Sequence, residues 1–312
     1  MAYLNFPFGV AVPSIVRNNE DISELFPDWN AESIYKKVGI KSRYICDSKE
    51  DSVVLAVEAY RNLCLSYENL KFDFVIYVSN STVHQAPGDG HVFLRELKLS
   101  GEIGCVDVNL GCSGFTYGLG LASALIDSGN CNNVLLVTTD AYSKFISSAD
   151  KSNLTLFGDG AAASLITKDL LANGGWKIEN FKFGSNGEGL KDLNIKSDAS
   201  CTARNLYMDG KSIFDFAANE VVEFIRNQKI DFENRICIFH QANSFMLEYM
   251  RRKLGINKEL FLIAMENRGN TVSASIPFAI WDYGGDLLNM NLFLCGFGIG
   301  ASYSSVCLSR IT

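Results

Sequence analysis

Short β-rich runs alternate with helical patterns along the chain, and this alternation constrains the fold more than any other feature of the sequence. The β-rich runs are residues 72–78 (FDFVIYV), 134–138 (VLLVT), 162–166 (AASLI), 236–239 (ICIF) and 291–295 (NLFLC). The spacing of apolar side chains predicts helices over residues 52–67, 113–127, 215–227 and 244–254. Strands that alternate with helices are typical of an α/β fold with largely parallel sheets.

The length of the chain, 312 residues with 47% hydrophobic side chains, predicts about two domains of roughly 150 residues each. Each half contains a core strand that ends in a polar, reactive turn, at residues 107–112 (DVNLGC) and 236–240 (ICIFH). We therefore expect two comparable halves that meet near residue 168, one over residues 1–168 and the other over residues 169–312.

Two runs without charged residues, 108–126 and 287–309, are long enough to span a bilayer. Both contain several glycines together with serine, threonine or asparagine, so we interpret them as buried parts of a globular core. We expect no membrane span. The net charge of −7 argues against a nucleic acid as the partner.

Nine cysteines occur in the sequence, and no two of them lie within three residues of each other. This spacing and the odd number disfavour a disulfide framework or a zinc-ribbon site. The first residues also lack the basic and apolar regions of a secretory signal. Both observations favour a reducing, cytoplasmic location in which most of the cysteines are small buried side chains.

Cys112 differs from the other cysteines because it lies between a predicted strand, 105–110, and a helix that begins near Ser113. The N-terminus of a helix presents unpaired N–H groups and the positive end of a dipole, which stabilise a thiolate and lower the pKa of a thiol. Gly111 and Gly114 allow a tight turn and leave room for a substrate. Cys112 is therefore a candidate nucleophile, and the alternative is a buried structural cysteine.

Three further segments offer partners for a nucleophilic cysteine. His240 directly follows a predicted strand, at the end where α/β proteins place their chemistry. Asn270 lies between a glycine and a threonine, where its amide can be a fixed donor. Residues 296–300 (GFGIG) follow the last predicted strand, and their backbone N–H groups can line an oxyanion site. The alternatives are a satisfied core histidine and a simple turn.

Five segments occur in a characteristic order: VDVNLGCSGF (106–115), LFGDGAAA (156–163), HQAN (240–243), GNTVSASIP (269–277) and GFGIG (296–300). Together they resemble the β-ketoacyl-acyl-carrier-protein synthase III family of the thiolase-like superfamily. A GIKSR segment at 39–43 extends the resemblance over nearly the whole chain. The resemblance implies a thiolase-like α/β fold, with two related halves in a five-layer αβαβα arrangement, and a homodimer.

The resemblance also implies an acyltransferase in which Cys112 accepts an acyl group, with His240 and Asn270 as the other catalytic residues. A malonyl thioester then loses CO2, and its carbanion attacks the acyl-cysteine in a decarboxylative Claisen condensation. Imidazole and amide donors stabilise the enolate, whereas the N–H groups of Cys112 and of Gly298 or Ile299 hold the other oxyanion. No metal and no bound cofactor is required. The expected substrates and partners are acyl-CoA and the acyl phosphopantetheine of an acyl carrier protein.

At the positions that contact coenzyme A in the family, this chain has residues that differ from the family's pattern. Ser33 stands where the family has a tryptophan, and Trp29 lies too far upstream to match simply. Lys37 and Lys151 stand where the family has arginines. Lysine meets phosphate as a point charge without the guanidinium plane, which weakens the case for delivery by free coenzyme A.

The positions linked to carrier docking and acyl length depart as well. Phe245 replaces a basic residue linked to carrier docking, but Arg251, Arg252 and Lys253 follow in the same predicted helix. These three can meet an acidic carrier protein, and the alternative is a solvated helix face. Ala86 occupies a position where the family often has a bulky residue that crosses the dimer interface, so we expect an acyl acceptor larger than acetyl.

Other classes of protein fit the sequence less well. A papain-like hydrolase has Cys, His and Asn in this order, but the signature around its cysteine is absent. A dinucleotide site at residues 296–301 lacks the strand–helix unit that should follow it. A non-catalytic partner subunit does not need the complete Cys–His–Asn set. The alternative that stays open is a non-condensing acyltransferase of the same fold, which passes the acyl group to an alcohol or an amine.

Overall fold

Strands and helices alternate through the computed structural model, which describes residues 1–197 and 204–311. The strands are β1 (Tyr3–Asn5), β2 (Gly9–Ala11), β3 (Ile15–Asn18), β4 (Ser42–Ile45), β5 (Phe74–Val78), β6 (Gly104–Val108), β7 (Asn133–Asp140), β8 (Gly160–Thr167), β9 (Gly175–Ser185), β10 (Leu193–Ser197), β11 (Arg204–Met208), β12 (Arg235–Phe239), β13 (Phe261–Leu262), β14 (Asn291–Gly298) and β15 (Ser302–Arg310). The α-helices are α1 (Asn19–Leu25), α2 (Ala31–Val38), α3 (Ser52–Cys64), α4 (Asp89–Glu96), α5 (Gly114–Asp127), α6 (Lys151–Leu156), α7 (Gly210–Phe216), α8 (Val222–Asn227), α9 (Ser244–Leu254) and α10 (Ser275–Tyr283). The predicted strands correspond to β5, β7, β8, β12 and β14, and the predicted helices to α3, α5, α8 and α9.

Eleven strands form one mixed sheet in the order β13-β12-β14-β15-β9-β1-β8-β7-β5-β6, with β2 also paired to β8. Pairing is parallel at the two ends, among β7, β5 and β6 and among β13, β12 and β14. The central pairs are antiparallel. The expectation of a largely parallel sheet is therefore wrong for the centre. There β14 turns directly into β15, and a short connection of this kind joins antiparallel strands.

Helix α5 lies in the middle of the molecule and packs against strands of both halves, including β7 and β15. Its small residues allow this close packing, since a Cβ on Gly120 would lie 2.5 Å from the ring of Phe181 in β9. Helices α3 and α4 pack on the outer face of the N-terminal strands. Helices α8 and α9 pack on the outer face of the C-terminal strands. These layers, with α10 beside α5, confirm the predicted αβαβα fold.

The two halves share this sheet across the predicted divide at residue 168. Strand β8 ends at Thr167 and β9 begins at Gly175, so the divide falls in the connection between them. Strand β1 lies between β8 and β9 and pairs with both. The boundary between two domains at this point stays a prediction.

The two uncharged runs lie inside the core. Residues 108–126 contain the end of β6 and most of α5, whereas residues 287–309 contain β14 and most of β15. Leu292, Leu294 and Val306 are wholly buried. Within the described ranges, no helix combines the length and the apolar character that a membrane crossing requires.

Candidate active site

One small cavity brings together the three side chains that the sequence singles out. It has a volume of about 90 Å³, and Cys112, His240 and Asn270 all line it. The remaining walls are mostly apolar and are made by Leu156, Phe157, Leu193, Met208, Gly210, Ile213, Ala242, Asn243, Met246, Phe297 and Gly298. Residues from both halves of the chain therefore build the cavity.

Cys112 lies in the turn between β6, which ends at Val108, and α5, which begins at Gly114. The N–H of Gly114 donates a hydrogen bond to the carbonyl of Gly111 (2.7 Å) and closes this turn. The end of β14 passes so near that a Cβ on Gly298 would lie 2.6 Å from Cβ of Cys112 and 2.9 Å from its Sγ. The absence of a side chain at Gly298 is what allows this approach.

The Cys112 thiol is only 6% exposed, and burial raises its pKa to about 12. The Asp140 carboxylate adds to this increase, whereas the backbone N–H groups of Ile299 and of Cys112 itself favour the thiolate. The expected lowering of the pKa by the helix N-terminus is thus outweighed by loss of solvent. The N–H of Ile299 thus acts on the sulfur, and the choice between Gly298 and Ile299 as the second oxyanion donor stays a prediction.

His240 directly follows β12, as predicted, and its backbone N–H donates to the carbonyl of Cys295 (2.8 Å). Its ring is buried, with Nδ1 2.8 Å from Oγ of Ser275 and the edge of the ring against Phe297. Burial lowers the pKa of His240 to about 3, against a smaller opposing effect of a backbone hydrogen bond at Val272. The imidazole is therefore neutral at physiological pH.

Asn270 is held by its own backbone and by that of the loop after α6. Its N–H donates to the carbonyl of Leu156 (2.8 Å), and its carbonyl accepts from the N–H of Gly158 (3.1 Å). The side-chain Oδ1 accepts from the N–H of Val272 (2.9 Å). Because this bond occupies the amide oxygen, the amide Nδ2 is the group left for a ligand.

Ser275, the first residue of α10, is a part of the site that sequence reasoning missed. Its hydroxyl meets Nδ1 of His240 and also accepts from the N–H of Gln241 (3.3 Å). The residue lies within the GNTVSASIP segment, five positions after Asn270. A serine at the start of a helix is ordinarily a capping residue, so the sequence offers no signal that it contacts a histidine 35 positions away.

A second, larger pocket of about 520 Å³ leads to the cavity. Both are lined by Leu156, Met208, Gly210, Asn243 and Met246, which form the neck between them. Lys37 and Phe245 line this outer pocket, as do Trp29 and Lys36. The outer pocket thus adjoins the cavity that Cys112 lines.

Trp29 lines the outer pocket, whereas Ser33, which stands at the family's tryptophan position, is not part of its lining. Lys37 places its ammonium group 4.8 Å from the centroid of the Trp29 ring. Lys151 lies 5.8 Å from the same ring and forms an ion pair with Asp28. Ser33 is exposed and donates its hydroxyl to the carbonyl at the start of its own helix.

The other predicted substrate residues lie outside the cavity. Ala86 is exposed, in the segment between β5 and α4, and is not part of the cavity wall. Phe245 is 64% exposed and stacks on Phe214, with ring centroids 5.6 Å apart. The entrance is therefore aromatic at the position where the family pattern has a basic residue.

The three cations predicted to dock a carrier are bonded within the chain. Arg251 and Arg252 share Glu248, at N–O distances of 2.6 Å and 2.8 Å, and this lowers the pKa of Glu248 to about 2. Lys253 donates to the carbonyl of Ala218 (2.8 Å). Only Arg252 has a mostly exposed side chain, at 74%. The role of these residues in docking stays a prediction.

One cluster of metal-ligand types occurs in the part of the chain that the structure describes. It consists of His91, Cys105 and Asp107, with ligand atoms within 4.8 Å of one another, beside the edge strand β6. The cluster includes no residue of the catalytic cavity, whose own polar groups are a thiol, an imidazole and amides. Those groups suit acyl transfer by a nucleophile and hydrogen-bond donors.

Comparison with known proteins matches both parts of the site. The family model for 3-oxoacyl-[acyl-carrier-protein (ACP)] synthase III matches residues 106–187, which include Cys112. The model for the C-terminal part of the same family matches residues 233–310, which include His240 and Asn270.

Individual relatives extend the match to nearly the whole chain. A β-ketoacyl-[acyl-carrier-protein] synthase III from Clostridium perfringens is 32% identical over 316 residues, 96% of each chain. A crystal structure of a 3-oxoacyl-(acyl-carrier-protein) synthase III has a TM-score of 0.88 at 33% identity and covers 99% of both chains. The priming β-ketosynthase of the R1128 polyketide biosynthetic pathway has a TM-score of 0.86 at 27% identity and covers 97% of this chain and 95% of that one. The chain thus belongs to the 3-oxoacyl-[acyl-carrier-protein] synthase III family.

Proposed function

We propose that this chain joins an acyl group to a malonyl unit through an acyl-cysteine at Cys112. Its family consists of 3-oxoacyl-, or β-ketoacyl-, acyl-carrier-protein synthases, so the chain is an acyltransferase of the condensing type. The observation that carries the residue roles is the one cavity that Cys112, His240 and Asn270 share.

In the first half-reaction, the sulfur of Cys112 attacks the thioester carbonyl of the acyl donor. The C–S bond of the donor breaks, and the proton of the Cys112 thiol leaves with the departing thiol. Because the pKa of Cys112 is about 12, little thiolate exists before the donor is bound, and proton loss accompanies the attack. The N–H groups of Cys112 and Ile299 donate to the oxyanion of the tetrahedral intermediate.

In the second half-reaction, the malonyl thioester loses CO2, and the electron pair of the broken C–C bond forms an enolate. The enolate carbon attacks the acyl carbonyl on Cys112, and the C–S bond of the acyl-cysteine breaks. The Cys112 thiolate then takes up a proton. His240 and Asn270 donate hydrogen bonds to the enolate oxygen, and removal of one such donor costs about 3–4 kcal/mol of transition-state stabilisation.

The hydrogen bonds around both donors support this assignment. The Ser275 hydroxyl accepts from Gln241, and its own proton has no acceptor other than Nδ1 of His240 among the described contacts. We therefore place the ring proton on Nε2. The N–H of Val272 occupies Oδ1 of Asn270, so Nδ2 is directed away from that bond as the second donor. Neither residue acts as a base.

The outer pocket is the proposed channel for the phosphopantetheine arm of coenzyme A or of an acyl carrier protein. The residues that it shares with the cavity are mostly apolar, whereas the exposed Lys36 and Lys37 also line the outer pocket and can meet phosphate. Lys151 is partly neutralised by Asp28, which makes Lys37 the stronger candidate for this contact. For an acidic carrier protein, Arg252 is the exposed cation on α9. No bound cofactor takes part in this scheme.

A homodimer is part of the proposal. In the described sheet, β6 is an edge strand, and its Val106 is 40% exposed. An apolar edge of this kind is suited to pairing with a second copy. The loop that carries Ala86 lies between β5 and α4, next to this edge, where it can reach a partner. Its small side chain then leaves room for an acyl group larger than acetyl.

The cysteines support a proposal for the cell compartment, and the relatives support one for the pathway. The eight cysteines within the described ranges are all free thiols, which supports a reducing cytoplasm. One relative is a priming ketosynthase of a polyketide pathway, whereas others carry the general name of the synthase. The chain therefore serves fatty-acid synthesis or the start of a specialised acyl chain.

Intact-mass measurement tests the proposal. Incubation with a panel of acyl-CoA and acyl-carrier thioesters should add one acyl group per chain, and Cys112→Ser should abolish the adduct. Cys64→Ser, which removes an exposed thiol elsewhere, should retain it. Malonyl-carrier protein should then discharge the adduct with release of CO2. An adduct that survives Cys112→Ser would refute the assignment of the nucleophile.

The same experiment separates the alternative, a non-condensing acyltransferase. Discharge by an alcohol or an amine, without malonyl thioester and without CO2, would favour that activity. A fixed amide at Asn270 favours condensation, because an enolate oxygen requires a second donor beside the imidazole.

A further inference from the structure

The Asp140 carboxylate is a buried charge that the reaction scheme does not use. It lies at the end of β7, is wholly buried, and has no cationic partner among the described ion pairs. Burial raises its pKa to about 6, and hydrogen bonds from its neighbours oppose this increase. A buried carboxylate is costly unless its oxygens are fully bonded, so its partners indicate what it holds.

Its two oxygens bond to different halves of the molecule. Oδ1 accepts from the loop after β5, namely from the N–H of Asn80 (2.9 Å) and from the N–H (3.2 Å) and hydroxyl (3.0 Å) of Ser81. The hydroxyl of Ser79 is a longer contact, at 3.3 Å. Oδ2 accepts the N–H (3.2 Å) and hydroxyl (2.6 Å) of Ser273. One carboxylate therefore joins a loop of the N-terminal half to the turn that carries Asn270.

That turn is strained and needs support. Val272 has a φ of 51°, a left-handed conformation that a β-branched residue rarely adopts. Val272 also provides the N–H that fixes the amide of Asn270, and it is wholly buried. Strain of this type persists only where the surrounding structure enforces it. The two bonds from Ser273 to Asp140 are the nearest support on the C-terminal side of Val272.

Both segments held by Asp140 meet beside the nucleophile. A Cβ on Gly111, the neighbour of Cys112, would collide with Oδ1 of Asn80 and would lie 3.0 Å from Cγ1 of Val272. A displacement of either segment would therefore change the position of Cys112 relative to Asn270.

We propose that Asp140 is a positioning residue that clamps the turn carrying Asn270 against the loop behind Cys112 and places its own negative charge near the thiol. This inference rests on the proposed roles of Cys112 and Asn270. The titratable groups that face the carboxylate are Tyr77, Tyr142 and Cys112, all of which are buried. Burial is the main cause of the raised pKa of the Cys112 thiol, and the charge of Asp140 raises this pKa further.

Asp140→Asn tests both effects. Loss of the hydrogen bonds should slow condensation, whereas loss of the negative charge should speed alkylation of Cys112. Every described partner of the carboxylate donates, so the amide NH2 of asparagine would face donors and loosen the clamp. We expect kcat for condensation to fall about 10- to 100-fold, as for a displacement of about 1 Å in an active site. Alkylation of Cys112 by iodoacetamide should instead become roughly three- to tenfold faster at pH 8, a shift of its pH profile by about half to one unit. Peptide mass spectrometry isolates Cys112 from the other thiols.

Two further variants separate the hydrogen-bonding role of Asp140 from the effect of its negative charge on Cys112. Ser273→Ala removes the 2.6 Å hydrogen bond but keeps the carboxylate, so condensation should slow several-fold while the alkylation profile stays unchanged. Asp159→Asn is the matched control, because Asp159 is equally buried but accepts from Cys46 and Ser143 rather than from the site. It should leave the alkylation profile of Cys112 unchanged.

Several outcomes would overturn the inference. It fails if Asp140→Asn alkylates at the wild-type rate, or if alkylation and condensation slow together, as expected for a purely structural defect. If Asp140→Asn does not fold, the test rests on Ser273→Ala. A wild-type rate of condensation in Ser273→Ala would then refute the proposed positioning role of Asp140. Failure of the wild-type protein to form an acyl-cysteine would instead refute the proposed function, which the mass measurement reveals separately.

Discussion

The cavity lined by Cys112, His240 and Asn270 and its entrance hold their polar side chains in different ways. In the cavity, Ser275 occupies one nitrogen of His240, and the N–H of Val272 occupies the oxygen of Asn270. Among the described side-chain hydrogen bonds, none occupies Nε2 of His240 or Nδ2 of Asn270. At the entrance, the cations of Lys37 and Lys151 lie on long side chains around the ring of Trp29. We therefore expect cavity substitutions to lower kcat and entrance substitutions to raise KM.

The largest expected effect is that of Asn270→Ala. It removes one enolate donor, so kcat for condensation should fall about 10²- to 10³-fold, whereas acylation of Cys112 should be retained. Single-turnover assays of the two half-reactions measure the difference. Asn289→Ala, at an exposed position, is the control. Equal loss of acylation and condensation would contradict the division of roles.

Gly298→Ala should mainly impair acylation. The new Cβ would lie 2.6 Å from Cβ of Cys112, so the thiol or the strand must move. A displacement of this size costs about 10²-fold in rate. The rate of acyl-cysteine formation checks the prediction, with Gly285→Ala as the control because nothing lies within 4 Å of its Cβ position. A wild-type rate would show that β14 does not limit the geometry of the nucleophile.

The buried ring of His240 should make stability depend on pH. Its pKa is about 3 in the folded chain, but about 6.5 when unfolded, so only the unfolded state takes up this proton between these values. The free energy of unfolding should therefore fall as the pH decreases from about 6.5 towards 3, by up to about 1.4 kcal/mol per unit from this group. Urea unfolding of the wild type and His240→Gln over this range should give different slopes. Equal slopes would mean that the ring is not held neutral.

Lys37→Ala should raise KM for the acyl donor several-fold and leave kcat nearly unchanged, because an exposed cation contributes at most about 1 kcal/mol. The effect should shrink at high salt. Steady-state kinetics at two salt concentrations measure it, with Lys258→Ala, on another surface, as the control. A fall in kcat alone would show that the entrance also positions the reacting atoms.

Arg252→Ala should have the smallest effect, less than about twofold in KM for a carrier-bound substrate, since Glu248 already pairs with this side chain. Titration of binding with an acyl carrier protein measures it. A tenfold loss of carrier affinity would instead identify α9 as the main docking surface.

The sequence indicates the three polar residues that line the cavity because they lie in local motifs, and their roles stay a prediction. Cys112, His240 and Asn270 each lie beside a glycine or at the end of a strand, and these are positions that a sequence pattern can indicate. The strands and helices also follow from local periodicity, whereas the layers are expected from the resemblance to the family. The antiparallel centre of the sheet does not, because strand order depends on contacts between distant segments.

The sequence does not reveal the contacts that hold the side chains of the site in position. Ser275 and Asp140 act on residues 35 and 133 positions away, and no local pattern encodes such pairs. At the entrance, Trp29 lies in the segment before α2 and meets Lys37 inside that helix, a contact that the sequence pattern does not indicate. The pairing of Arg251 and Arg252 with Glu248 likewise depends on side-chain conformations.

The position of β1 has a consequence for how the molecule assembles. Residues 3–5 are inserted between β8 and β9, and Asn5 bonds to Thr167, 162 positions later. Closing so long a loop carries a large entropy cost before any contact rewards it. Such non-local pairing slows folding, so the seam between the halves forms late. Truncation of this short strand would therefore leave the facing edges of β8 and β9 without their partner at the junction of the two halves.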